Sequence, residues 1–136
     1  MAYEVLRTSQ VAAAVRGMDA RQRRSYEAAR DALRGEGCKA GGYRLLATSG
    51  NDHQLCCRHL GFAWRMFTAY LDDGRIVIVA LDEHTADHSP LDSLADVLPG
   101  LARIGRRRSQ KPPCCEDPSQ PPAMNAELRE LLSALE

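Results

Sequence analysis

The spacing of apolar positions changes along the chain, and each change marks an element. Tyr3 to Leu6 is a short apolar run broken by one charge and followed by Thr8 and Ser9, which predicts a first strand ending at a helix N-cap. Val11, Ala14, Val15 and Met18 recur at i, i+3, i+4 and i+7, the stripe of a short helix that Gly17 weakens. Asp19 with Gln22 three residues on has the form of a capping box, and Tyr26, Ala29, Ala32 and Leu33 carry the buried side of a longer helix toward a stop at Gly35 and Gly37.

Beyond Gly41-Gly42 the period shortens. Tyr43 to Thr48, His53 to Leu60, Phe62 to Leu71 and Arg75 to Leu81 read as extended segments of an antiparallel meander, with turn residues at Ser49 to Asp52 and Asp72 to Gly74. Asp73-Gly74 predicts a two-residue type I′ turn, which needs positive φ at both central residues, so the flanking strands should pair directly. Ile76 to Leu81 is apolar at every position instead of alternating, which predicts a central strand covered on both faces, with the helices as one cover.

Ser89-Pro90 supplies the N-cap and first-turn residues of a third helix, with Leu91, Leu94, Ala95 and Leu98 as its apolar side and Pro99-Gly100 as its end. Residues 99–123 read as a Pro/Arg-rich flexible linker, because Arg106 to Pro122, with five prolines, offers too little apolar surface to offset the entropy of ordering it. Residues 124–136 form a terminal amphipathic helix with Leu128, Leu131, Leu132 and Leu135 on one side, too short to stand alone in water. It must dock on this protein's own surface, on a second copy through self-association, or on a partner. The expected fold is therefore α+β, β-α-α-β-β-β(-β)-α, with a two-helix hairpin on a small antiparallel sheet in residues 1–98.

Composition adjusts this picture in three ways. Length 136 suits one small domain. Lys+Arg and Asp+Glu balance at 18 each, yet residues 1–80 hold 12 basic and 8 acidic side chains (+4) against 6 and 10 (−4) in 81–136, so a polyanion site belongs in the first part. The longest apolar run is far below the roughly 20 residues that span a bilayer, no secretory h-region precedes it, and a soluble cytoplasmic protein without membrane contact is expected. Five cysteines in two adjacent pairs plus one make a poor disulfide framework. Cys56-Cys57 on a strand point to opposite faces, and Cys114-Cys115 lacks the spacing and number of ligands of a zinc site, so neither a metal nor another cofactor is expected. Arg21, Arg23, Arg24, Arg30 and Arg34 line the polar side of the second helix, as a solvated surface or a nucleic-acid surface.

The order strand, helix, helix, meander, short helix resembles the RelE/ParE toxin superfamily. So do Tyr3 to Leu6, Gly42 to Leu46, and above all Arg58 followed by Ala63-Trp64-Arg65-Met66 and then Ile76 to His84. The resemblance covers residues 1 to 98. It implies a toxin neutralised by a cognate antitoxin protein and acting either as an endoribonuclease on mRNA, at the ribosome or free of it, or on gyrase. By position, Arg65 matches the family's persistent functional arginine, Arg58 a basic residue on the preceding strand, and His84 the terminal basic residue at the scissile phosphate. Thr85 to Pro90 lacks the tyrosine that many relatives carry next.

Metal-free RNA cleavage by the neighbouring 2′-hydroxyl needs a proton acceptor, a proton donor and fixed positive charge at the phosphorane. Imidazole, with an ordinary pKa of about 6.5, suits the proton transfers, which nominates His84 first and His88 and His59 behind it. Guanidinium is a poor proton carrier and a good phosphate clamp, which assigns Arg65 and Arg58 to charge. If Trp64 and Met66 pack under the helices, strand alternation turns Arg65 to the open side and Tyr70 inward. Arg58, Arg65 and His84 are expected to converge on one accessible surface. Two other classes stay open: a RelE/ParE-fold module that binds a protein without cleaving RNA, and an unrelated α+β regulatory module whose Arg106-Arg107-Arg108 run contacts phosphates.

Overall fold

The computed structural model describes residues 3–47, 55–61, 63–70, 75–85 and 104–109, with backbone alone for 38, 43–47 and 104–109. The turns at 48–54 and 71–74, the helix expected after Ser89, Cys114-Cys115 and the terminal helix lie outside the described residues.

Strand β1 (Glu4–Arg7) leads into helix α1 (Ser9–Arg16), which starts where Thr8 Oγ1 accepts from Val11 N. Helix α2 (Ala20–Glu36) begins at the expected box, Gln22 N donating to Asp19 Oδ1 at 2.8 Å and Asp19 N to Gln22 Oε1 at 3.0 Å. Arg23 of α2 reaches back to donate to Val15 O and Arg16 O, tying α2 to the C-terminal carbonyls of α1. Arg30 and Arg34 pair with Glu27 and Asp31 one turn earlier. Three of the five α2 arginines thus serve the helix hairpin, which favours the solvated reading of that surface.

Gly37 caps α2 at φ 66°, with the Tyr3 ring packed where a Cβ would be, and a 3-10 turn (Gly37–Ala40) leads to Gly42 at φ 86°. Four strands follow: β2 (Tyr43–Ala47), β3 (Leu55–His59), β4 (Trp64–Tyr70) and β5 (Arg75–Glu83), each antiparallel to the next as the meander reading requires. The sheet order is β1-β5-β4-β3-β2-β6.

Two expectations about the sheet are corrected. It is mixed, not antiparallel, because β1 lies parallel to β5, with Val5 opposite Ile76 and Leu6 opposite Val77. The helix hairpin carries the chain back so that β1 and β5 run the same way, and the local apolar pattern cannot reveal pairing across some seventy positions. Part of the expected linker is also a strand: β6 (Ile104–Ser109) pairs antiparallel with β2. Edge pairing is a backbone interaction that satisfies the outer N–H and C=O groups of β2, so it tolerates a polar, arginine-rich sequence.

The helices cover one face of the sheet. Val11, Met18, Tyr26, Ala29 and Leu33 pack on Cys56, Trp64, Met66, Tyr70, Ile76, Ile78 and Leu81 in one cluster, with Val5, Ala14, Val15 and Ala32 at its margin. Trp64 and Met66 under the helices and Tyr70 inward are as expected. The opposite face is sealed as tightly, with Leu55, Phe67, Ala69, Val77, Val79 and Ala80 no more than 1% exposed. Both described helices lie on the first face. Ile76 to Leu81 is covered on both sides, as its unbroken apolar run requires.

The β4–β5 register contains a β-bulge. Thr68 faces Ile78 but Phe67 faces Ala80, which leaves Val79 as the extra residue. A two-residue turn at Asp73-Gly74 puts Asp72 opposite Arg75, and hence Tyr70 opposite Val77. The observed partner of Tyr70 is Ile76, one residue short, and the bulge restores that offset further along.

The left-handed Gly42 gives the fold's sharpest test. A Cβ there collides with the Cys57 carbonyl and comes within 2.8 Å of Arg58 Cα, backbone atoms that cannot swing away. Gly42→Ala is expected to destabilise the fold by about 2–4 kcal/mol in urea unfolding, from positive-φ strain plus the clash. A loss under about 0.5 kcal/mol overturns this account.

Candidate functional site

Residues directly opposite one another on neighbouring strands share a face, so register sorts the expected site residues. Arg58 lies opposite Met66, and Met66 opposite Leu81, both in the helix-covered core. His59 lies opposite Arg65, and Arg65 opposite Asp82, which places these three in one row on the other face. Arg58 and Arg65 are therefore on opposite faces, and the expected convergence of Arg58, Arg65 and His84 is corrected. The reason is parity: with Arg58 beside Met66 and His59 beside Arg65, the two arginines belong to adjacent, oppositely directed positions of the pleat.

Arg58 has a structural place instead. Its Nη1 donates to Ala40 O at 2.8 Å, binding β3 to the end of the 3-10 turn just before Gly42 crosses over the Cys57–Arg58 backbone. A guanidinium inside the helix-covered layer, spent on a nearly buried carbonyl, is not available to a phosphate on the far face.

The row His59–Arg65–Asp82 lies at one end of the sheet, where the sealed second face gives way to solvent. His59 is exposed, and Arg65 and Asp82 are half-buried. Arg65 Nη1 donates to Trp64 O at 3.2 Å, engaging one of the five N–H groups of the guanidinium. Asp82 Oδ1 accepts from Glu83 N at 2.8 Å. His84 follows immediately and is exposed; its backbone N donates to Ala63 O at 2.7 Å, continuing the β4–β5 pairing by one more position. Because Ala63 is two residues before Arg65, this pairing puts His84 in the row next to Arg65 on the same face. Facing residues on adjacent strands stand about 5 Å apart at Cβ and diagonal ones about 7–8 Å, within reach of a long guanidinium. His88 lies outside the described residues.

Two imidazoles and one guanidinium thus share a face and an end of the sheet. Asp82 was missed by sequence reasoning, although the two-residue turn expected at Asp73-Gly74 implies a register that sets it opposite Arg65. Motif position alone ranks Arg58, Arg65 and His84 first and does not carry the hairpin register to its far end. Among the described residues no group of three or more His, Cys, Asp or Glu side chains is placed to hold a metal ion. No described helix is long and apolar enough to cross a membrane.

The chain matches no family model, no curated protein and no solved structure.

The division of labour between the two arginines is measurable. Arg58→Met leaves the Ala40 carbonyl without its donor and is expected to lower stability by about 1–3 kcal/mol, whereas Arg65→Met, at a half-exposed position, changes it by about 1 kcal/mol or less. Denaturant midpoints of the two variants check the order, and equal losses, or the reverse order, sink the assignment.

Proposed function

We propose that this protein is a RelE/ParE-type toxin that cleaves mRNA without a metal, using His59 and His84 for proton transfer and Arg65 for the phosphate. The observation that supports this most is the placement of two imidazoles around one guanidinium on a single accessible sheet end. One imidazole takes the proton of the 2′-hydroxyl as its oxygen attacks phosphorus. The other, protonated, delivers its proton to the departing 5′-oxygen, leaving a 2′,3′-cyclic phosphate and a 5′-hydroxyl. Arg65 stabilises the charge that gathers on the non-bridging oxygens in between. Arg58 has no part in this chemistry. The resemblance supports the biological setting: mRNA, on the ribosome or off it, as substrate, and a small cognate antitoxin that covers the Arg65 end.

A second reading is favoured by Asp82. A carboxylate directly across from Arg65 offsets its charge, which suits a RelE/ParE-fold module that binds a protein target and does not cut RNA. Inducible expression of wild type, His59→Ala, Arg65→Ala and His84→Ala, with RNA 5′ ends mapped after induction, separates the two. Cleavage by the wild type that falls about 100-fold or more in each variant supports the nuclease. Growth arrest without new 5′ ends supports the protein-binding module, and absence of both arrest and cuts at any dose removes the toxin assignment.

A further inference from the structure

Strand β1 pairs with β5 only as far as Arg7 opposite Ile78, so the outer edge of β5 beyond that point has no neighbouring strand among the described residues. The next outward-facing backbone groups are taken by side chains of the N-cap and first turn of α1. Thr8 Oγ1 donates to Val79 O at 2.8 Å. Gln10 then makes two bonds to one residue: Nε2 donates to Leu81 O and Oε1 accepts from Leu81 N, both at 2.9 Å. A carboxamide bonded in this way reproduces the donor–acceptor pair that a strand presents, so Gln10 acts as a one-residue extension of the sheet.

Leu81 is three residues before His84. On its inner side the segment is held by β4, through the pairs Met66–Leu81, Arg65–Asp82 and Trp64–Glu83 and the bond from His84 N to Ala63 O. On its outer side, Gln10 joins it to a helix that is itself packed into the core through Val11. We infer that Gln10 is a positioning residue for His84: its two bonds to Leu81 hold the end of β5 against β4 and so fix where the imidazole stands relative to Arg65. The catalytic consequence rests on the nuclease reading, while the mechanical one does not.

The test uses the full chain, as wild type, Gln10→Ala and, as a control for general destabilisation, Gln22→Ala, which removes the bond from Asp19 N to Gln22 Oε1 in the α2 capping box, away from β5. Amide hydrogen exchange is expected to quicken about tenfold or more at Leu81 and His84 in Gln10→Ala, with Phe67 and Ile78 unchanged. Gln22→Ala should leave the His84 amide near its wild-type rate. In RNA cleavage, Gln10→Ala is expected to lower kcat about tenfold to a hundredfold with little change in KM, since misplacing a reacting group by about 1 Å costs on that order. That loss should vanish when Gln10→Ala is made in a His84→Ala background. Unchanged exchange at His84 overturns the inference, and so does a kcat loss that persists in full without the imidazole, since the effect is then general destabilisation. If the wild type cuts no RNA, the proposed function falls while the exchange rates still decide whether Gln10 positions His84.

Discussion

The structure depends on the side-chain completion of an unfinished parallel pair. Strand β1 supplies four residues, Glu4 to Arg7, to the edge of a nine-residue central strand. Buried backbone groups without partners cost about 1–3 kcal/mol each, so β5 cannot be both fully buried and half unpaired. The chain resolves this by turning β1 directly into α1 and using that helix's cap and first turn as surrogate strand. Thr8 N continues the ladder to Ile78 O, the Thr8 hydroxyl takes Val79 O, and the same oxygen caps the helix by accepting from Val11 N. One threonine thereby joins strand, helix and central strand, which is why it is buried although polar.

The bulge at Val79 gives that bond its functional reach. Side chains alternate along a strand, and a one-residue slip moves every later residue to the other face. If the register at Tyr70–Ile76 continued unbroken, Arg65 would face Leu81, and Asp82 and His84 would fall on the helix-covered side with Arg58. With Val79 as the extra residue, Leu81 enters the core beneath the helices, while Asp82 and His84 join the face that carries Arg65 and His59. Core and polar row are thus sorted by one inserted residue, whose displaced carbonyl is the one that Thr8 binds.

What was legible in the sequence follows from the range of each signal. The caps at Thr8 and Asp19, the apolar stripe of α2, the doubly covered run Ile76 to Leu81 and the inward turn of Tyr70 are encoded within a few residues and appear as read. The parallel partner of β1 and the strand at Ile104–Ser109 are backbone pairings over long separations, and no local pattern announces them. Arg58 shows the same limit at the site. Arginine at that position carries one signal in sequence, a positive charge before a turn, and nothing local says that it faces Ala40 and not Arg65. His59, ranked behind His84, stands closer in register to Arg65 than any other histidine described, because adjacency across a sheet is set by pairing and not by motif order.

The distribution of arginines bears on how such a surface selects a ligand. In the half of the chain with excess positive charge, Arg23 closes the end of α1, Arg30 and Arg34 pair along α2, and Arg58 holds the 3-10 turn. Among the described residues, four of the basic side chains behind the +4 of residues 1–80 thus hold contacts within the fold. Arg65 stands between an imidazole and a carboxylate, a row that can grip one phosphate or one carboxylate but contributes little long-range attraction. On the nuclease reading such a locally balanced row orients one phosphate, and affinity comes from the surfaces around it.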